Sequence, residues 1–208
     1  GTEHCSKLSV EELKPLFARA VRERLSAEQC DFTFSLEALK TKEINAEKHQ
    51  GSALEELDKL TGRACVKACV REISAFVKSK GADSLPTLHM VFRGNPGTGK
   101  TTVARLLGRI LAEAGALKRD DVFVEADRNS LVSIYLGGTA EKTASAVKSA
   151  LGGVLFIDEA YSLFAGEGRD YGAEAVAELV KMMEDHRRDF VCILAGYPKQ
   201  MDAMLDMN

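Results

Sequence analysis

Residues 94–101 combine glycines, a lysine and a threonine in a spacing that suits phosphate binding. In order they are Gly94-Asn95-Pro96-Gly97-Thr98-Gly99-Lys100-Thr101, a complete G-x-x-x-x-G-K-T sequence that Thr102 extends. Gly97 and Gly99 permit a tight turn whose backbone N–H groups point at phosphate oxygens. Lys100 supplies a positive charge for the phosphates, and the Thr101 hydroxyl is a ligand for Mg²⁺. The segment predicts a nucleotide-phosphate site; a glycine-rich turn without a ligand is the alternative.

Two adjacent carboxylates form the second group with a chemical task. The apolar residues 154–157 run directly into Asp158 and Glu159. If 154–157 is a buried strand of a parallel sheet, both carboxylates lie at its carboxyl end, where such sheets bind ligands. Asp158 is then predicted to bind Mg²⁺, directly or through water, and Glu159 to orient or deprotonate an attacking water. An acidic strand end is common by itself, but together with Lys100 this pair predicts nucleotide hydrolysis by Lys100, Asp158 and Glu159.

The elements that must position these residues follow a repeating pattern. From residue 88 onward, short apolar runs alternate with helical periods, which indicates βαβ units and a parallel sheet. The predicted strands are 89–92, 122–126, 154–157 and 191–195. Helices are predicted over 101–114 and 172–185, where apolar residues recur every three or four positions. The expected fold is a three-layer α/β/α arrangement of the P-loop type, with the sheet in the middle.

The chain divides near Gly51. Residues 1–50 carry one apolar helical face and then a charged stretch, so they are predicted to be a helical N-terminal segment or the end of a preceding domain. A separate adaptor domain is the alternative. Residues 51–208 form the second unit, and its first long helix places Val66 and Val70 on one face, with Cys65 and Cys69 predicted as small buried thiols.

Composition limits the classes of partner. The chain has 208 residues, of which 45% are hydrophobic and 28% charged, with a formal net charge of -3, so neither nucleic acid nor an anionic membrane is an expected partner. No apolar run approaches the roughly 20 residues of a membrane span. The five cysteines lack a C-x-x-C pair, which favours the cytoplasm or another reducing intracellular compartment.

Residues 94–102 and 154–163, taken together, resemble the AAA+ ATPases of the branch that includes the red-type Rubisco activase CbbX, the sporulation protein SpoVK and type VII secretion ATPases. Segments 86–90, 139–143 and 193–197 are also similar to that branch. The resemblance implies ATP and Mg²⁺ as cofactors, and a usually hexameric homo-oligomer with ATP between neighbouring subunits. Hydrolysis in such rings moves loops of a central pore that act on protein substrates.

The same resemblance implies roles for three further groups of residues. Tyr135-Leu136-Gly137 matches the aromatic, aliphatic, glycine pattern of a pore loop, although a turn with a half-buried tyrosine is the alternative. Leu60, Thr61 and Gly62 resemble the segment that packs on adenine. Tyr197 occupies the region where relatives place an asparagine that senses the γ-phosphate, and it is the candidate sensor here. The loop 165–171 is either a second pore loop or a surface loop.

The resemblance also implies parts that this sequence does not contain. Relatives continue with an arginine finger, a fifth strand beside the first, and a helical lid, so 51–208 is expected to be an AAA+ large subdomain truncated at its C-terminal side. Weak ATP hydrolysis and an open edge at strand 89–92 are expected for that reason. Two rival functions stay open: an ATP-dependent assembly scaffold or switch with little hydrolysis, and a small-molecule phosphotransferase, which the Asp158-Glu159 pair disfavours.

Overall fold

A parallel sheet lies at the centre of the structure, a computed structural model that describes residues 52–60, 64–80, 85–135, 137–164 and 171–206. Within these residues the strands are β1 (Met90–Arg93), β2 (Phe123–Ala126), β3 (Val154–Ile157) and β4 (Val191–Gly196). Their spatial order is β1-β4-β3-β2, and every neighbouring pair is parallel. All four strands therefore end at the same edge of the sheet, and β1 and β2 are its outer strands within the described residues.

Helices cover both faces of this sheet. In chain order they are α1 (Ala53–Lys59), α2 (Ala64–Lys80), α3 (Lys100–Glu113), α4 (Arg128–Leu131), α5 (Gly138–Ser149), a 3-10 helix (Ala160–Phe164), α6 (Gly172–Asp185) and α7 (Pro198–Asp206). Helix α3 connects β1 to β2, α4 and α5 connect β2 to β3, and α6 connects β3 to β4. This alternation of strand and helix confirms the predicted three-layer α/β/α fold.

The two faces of the sheet have separate cores because successive strand residues point to opposite sides. Leu155 and Ile157 pack in a cluster with apolar residues of α5 and α6. Val154 and Phe156 pack in the other cluster, with α1, α2 and α3. Each of these four side chains is at most 1% exposed, and full burial of one such side chain contributes roughly 1.5–3 kcal/mol. Burial on both faces thus fixes the position of the central strand β3, and with it the position of Asp158, the residue that follows the strand.

The predicted boundaries differ from the observed ones by one residue at several ends. Strand β1 begins at Met90, where its pairing with Ile193 of β4 begins. Nδ1 of the preceding His89 accepts the backbone N–H of Cys192 at 3.0 Å. Helix α3 begins at Lys100, inside the phosphate segment. The prediction that both thiols of α2 are buried is wrong: Cys65 is exposed and Cys69 is only partly buried, since the buried stripe of that helix runs through Val66 and Val70.

Some predictions fall on residues outside the described ones. They concern the segment 1–50, Thr61, Gly62, Leu136 and most of the loop 165–171. Among the helices that are described, none combines the length and the apolar composition needed to cross a membrane.

Candidate functional site

The predicted site residues meet at the carboxyl edge of the sheet. The segment 94–99 follows β1, Asp158 and Glu159 follow β3, and Tyr197 follows β4. Backbone hydrogen bonds join these strand ends: the N–H of Gly94 donates to the carbonyl of Gly196 at 3.1 Å, and the N–H of Asp158 donates to that of Ala126 at 2.9 Å. The strand order β1-β4-β3 places β4 between the two chemical groups, so both face one region of the sheet edge.

The segment 94–99 forms a closed turn. Gly97 and Gly99 have φ angles of 69° and 76°, in the left-handed region that only glycine adopts at little cost. The Thr98 hydroxyl donates to the carbonyl of Asn95 at 2.7 Å, and the Thr98 side chain is buried. Asn95, Pro96 and Gly97 are exposed. The turn leads directly into α3, whose first N–H groups have no acceptor within the helix and are suited to bind an anion.

Lys100 lies at the junction of this turn and α3. Its side chain is only 9% exposed, and its ammonium donates to the carbonyls of Gly94 at 2.9 Å and Asn95 at 3.3 Å. Burial lowers the pKa of Lys100, and the negative charges of Asp158 and Glu159 act in the opposite direction. The charge of the Lys100 ammonium is therefore coupled to the charges of both carboxylates.

The acidic pair occupies a sharp turn after β3. The backbone N–H of Glu159 donates to Oδ1 of Asp158 at 3.0 Å, and both side chains are exposed. Glu159 has a φ of 47°, an uncommon conformation for a residue with a side chain, and one that is often stored at functional sites. The turn directs the chain into the 3-10 helix, where the N–H of Ser162 donates to the carbonyl of Glu159 at 2.8 Å.

Two tyrosines adjoin Glu159. The rings of Tyr161 and Tyr197 have centroids 5.8 Å apart, and the Lys100 ammonium lies 5.6 Å from the centroid of Tyr197. Burial, followed by the negative charge of Glu159, raises the pKa of Tyr161 to about 12. Burial, followed by the neighbouring carboxylate of Glu159, raises the pKa of Tyr197. Tyr161 was not predicted from the sequence, where its only signal is its position two residues after Glu159.

A second exposed feature lies beyond β2, at the same edge of the sheet. Ile134 and Tyr135 are 85% and 74% exposed, which excludes the half-buried turn considered from the sequence. The base of this loop is held in place: the N–H of Ser133 donates to the Thr139 hydroxyl at 3.1 Å, and the N–H of Tyr135 donates to the Ser133 hydroxyl at 3.1 Å. Gly137, with a φ of 77°, is the N-cap residue of α5.

Helix α1 brings Leu60 toward the phosphate segment. The N–H of Ala53 donates to Glu113 at 2.9 Å, and Arg109 donates to both carboxylate oxygens of Glu56, at 2.6 and 3.0 Å. Higher numbers on α1 therefore lie beside lower numbers on α3, so the two helices are antiparallel. Leu60, at the end of α1, consequently lies toward the half of α3 that begins at Lys100.

The site offers few side-chain ligands to a metal ion. No group of three or more His, Cys, Asp or Glu side chains in the described part of the chain could hold a metal ion. Thr101, which is partly exposed at the start of α3, and Asp158 are oxygen donors of the kind that Mg²⁺ binds. Mg²⁺ normally keeps several waters and binds one or two protein oxygens together with substrate phosphates, which matches this donor set.

A phosphate turn after β1 and an acidic pair after β3 of a parallel sheet define a nucleotide-binding protein of the P-loop α/β class. Residues 90–206 match the family described as "ATPase family associated with various cellular activities (AAA)". The chain belongs to this family, which confirms the resemblance drawn from the sequence.

Individual relatives place the chain in the predicted branch. It is 48% identical over 160 residues to "Stage V sporulation protein K" of Bacillus subtilis, covering 74% of this chain and 49% of the relative. It is 46% identical over 164 residues to "Protein CbbX" of Cereibacter sphaeroides, covering 74% of this chain and 53% of the relative. The chain thus spans about half the length of these curated relatives.

A solved structure agrees with the fold. The "Crystal structure of FIGL-1 AAA domain in complex with ADP" superposes with a TM-score of 0.51 at 19% identity, covering 74% of this chain and 57% of that chain. At this identity the likeness supports the AAA fold.

Proposed function

We propose that this chain binds Mg·ATP at residues 95–102 and hydrolyses it, and that hydrolysis drives the remodelling of protein substrates by a ring-forming homo-oligomer. The observation that carries the proposal is the position of Lys100, which is held by its own turn and acted on by both Asp158 and Glu159. The Lys100 ammonium suits phosphate oxygens, and the acidic pair suits a metal ion. The site therefore suits a substrate that carries both phosphates and a metal ion.

Each residue of the site has a separate task in this proposal. Lys100 and the N–H groups of the turn bind the phosphates, and Thr101 and Asp158 hold Mg²⁺, which neutralises charge on the β- and γ-phosphates when bound. Glu159 orients or deprotonates the attacking water. Tyr197 senses the γ-phosphate, and the segment 60–62 packs on adenine.

The remodelling part of the proposal is supported by the loop at Tyr135. An exposed aromatic ring on an anchored base contacts a polypeptide without requiring a particular side chain. The family resemblance implies a ring of six subunits. We propose that the pore of this ring is lined by Tyr135, Leu136 and Gly137.

We further propose that 51–208 is the AAA+ large subdomain and that 1–50 is a separate preceding segment. The cysteine thiols are proposed to belong to a reducing compartment such as the cytoplasm.

The substitution Tyr135→Ala tests the remodelling activity, with casein as an unfolded protein probe. Casein is expected to stimulate ATP hydrolysis by the unchanged protein and by Tyr135→Phe, which keeps the ring. Stimulation should be lost in Tyr135→Ala, whereas hydrolysis without casein should be equal in all three proteins. Equal stimulation of Tyr135→Ala would contradict the pore role, and no stimulation of any of them would favour the scaffold or switch.

A further inference from the structure

We propose that Lys67 is a positioning residue for the base of ATP, because it holds the backbone at Leu60, where the segment 60–62 leaves α1. This inference rests on the proposed function, in which that segment packs on adenine. Lys67 lies near the start of α2. Its ammonium reaches back to α1 and donates to the carbonyls of Asp58 at 2.9 Å and Leu60 at 2.5 Å. One side chain of α2 thus holds both the last turn of α1 and the residue that follows it.

The end of α1 depends on a contact of this kind. The last carbonyls of a helix have no N–H partner within it, and a positive charge is favourable there. With only seven residues, α1 has little stability of its own. At Leu60 the backbone becomes extended, with φ -66° and ψ 129°. Since a peptide unit is planar, a held Leu60 carbonyl also fixes the plane of the peptide that leads into residue 61.

The start of α1 is held to α3 without Lys67. The two buried residues of α1, Ala53 and Leu57, are at most 1% exposed. The hydrogen bonds with α3 described above hold the first turns of the helix. Removing Lys67 should therefore free only the end of α1, which is the part that lies toward Lys100 and the phosphate segment.

Arg71, one turn further along α2, contacts the same end of α1 through a different group. It forms an ion pair with the carboxylate of Asp58, and the two side chains are 52% and 49% exposed. An exposed pair contributes little, and it does not bind the backbone of Leu60. Lys67 is partly buried and binds carbonyl oxygens. The two cations therefore form a matched comparison, in which only the lysine holds the backbone.

Displacement of a fluorescent ATP analogue from the 208-residue chain tests this role in Lys67→Met. The competitors are Mg·ATP and ribose 5-triphosphate, which lacks only the base. Lys67→Met is expected to bind ATP about tenfold more weakly, because apparent affinity falls with the fraction of molecules whose segment 60–62 is in the binding arrangement. Its affinity for ribose 5-triphosphate should stay within about twofold, because the residues proposed to bind the phosphates lie on other elements.

Further variants separate positioning from charge and from folding. Lys67→Arg, which keeps a charged donor, and Arg71→Met should both bind ATP within about twofold of the unchanged protein. If Lys67→Met does not fold, Lys67→Gln takes its place with the same expectation.

Each result of the displacement experiment decides the matter. An equal loss of affinity for ATP and ribose 5-triphosphate in Lys67→Met would overturn the inference, because a general structural role would explain it. If the unchanged protein binds neither competitor, or binds both equally, the proposed nucleotide site or its adenine contact fails together with the inference. A preference of the unchanged protein for ATP that Lys67→Met retains in full defeats the inference alone.

Discussion

Lys100 shows at the scale of one residue how the site is prepared for an anion. Its ammonium is nearly buried, a placement that is costly unless the charge has partners. The partners are two backbone carbonyls of its own turn and the charges of Asp158 and Glu159. A carbonyl offers only part of a negative charge, so phosphate oxygens are the stronger acceptors for this ammonium.

Replacing Lys100 by alanine is expected to weaken ATP binding by at least about tenfold, since charge-assisted hydrogen bonds contribute roughly 1.5–3 kcal/mol. Titration with a fluorescent ATP analogue measures the dissociation constant. Lys118→Ala is the matched control, because Lys118 is an exposed lysine that pairs with Asp189. A Lys100→Ala protein that binds the analogue as tightly as the Lys118→Ala protein would rule out the assigned role.

The sequence predicted the backbone well where its conformation is set locally. A tight turn at Gly97 and Gly99 was predicted because glycine tolerates a positive φ, and both residues have one. The phosphate-binding role of Lys100 stays a prediction from the spacing. The position of Tyr161 beside the acidic pair could not be predicted. Its position depends on the left-handed conformation of Glu159 and on the missing side chain of Gly196, which is distant in sequence.

At the scale of elements, the short helix α4 links the sheet to the exposed loop at Tyr135. Its N-cap residue is Asp127, whose carboxylate accepts the backbone N–H of Ser130 at 2.7 Å and the Ser130 hydroxyl at 2.6 Å. Arg128 on the same helix donates to the carbonyl of Ser162. A helix of four residues has little stability of its own, so its cap and its contacts determine whether it forms.

Asp127→Ala is therefore expected to lower the free energy of unfolding by about 1 kcal/mol at pH 7, and Asp127→Asn much less, because asparagine also caps helices. The hydrogen bonds of the Ser130 side chain and backbone lower the pKa of Asp127, so its stabilisation is present above the unfolded pKa of about 3.9 and is lost as pH falls through the folded value. Urea unfolding at pH 7 and near pH 3 measures the difference, which should shrink at the lower pH. A deficit that is equal at both pH values would show that the ionised cap is not its cause.

Elements with strong apolar periodicity were predicted, and those stabilised by polar contacts were missed. Helices over 101–114 and 172–185 were evident from their apolar faces, as were the four strands. Helix α5 was not predicted because two of its three buried residues, Thr139 and Thr143, are polar. Their hydroxyls are satisfied by the backbone of 131–133, which only the folded structure brings near.

At the scale of the whole molecule, one sheet edge carries both the proposed phosphate site and the exposed loop. The residues proposed to bind the nucleotide follow β1, β3 and β4, and Tyr135 lies beyond β2. The bond from Arg128 to Ser162 connects the α4 segment to the 3-10 helix after Glu159. A short covalent and hydrogen-bonded path thus joins Glu159 to the segment that precedes the exposed loop, and the proposed remodelling activity would use such a path.

The fold class could be predicted from one chain because its determinants lie within that chain, and the residues of the proposed nucleotide site could be named for the same reason. A ring and its pore could not be worked out in the same way. They depend on contacts between subunits, so they entered only through the resemblance to AAA+ relatives, which the match over residues 90–206 supports at the level of the family.

The central claim is that ATP bound at Lys100 is hydrolysed through Glu159, and Glu159→Gln tests it most directly. ATP affinity and the single-turnover rate should be measured for this variant, with Glu72→Gln, an exposed glutamate of α2, as the matched control. The account predicts that Glu159→Gln binds ATP within about twofold of the control and loses at least about a hundredfold in rate, in the range attributed to general acid–base catalysis. Equal rates in the two variants would contradict it.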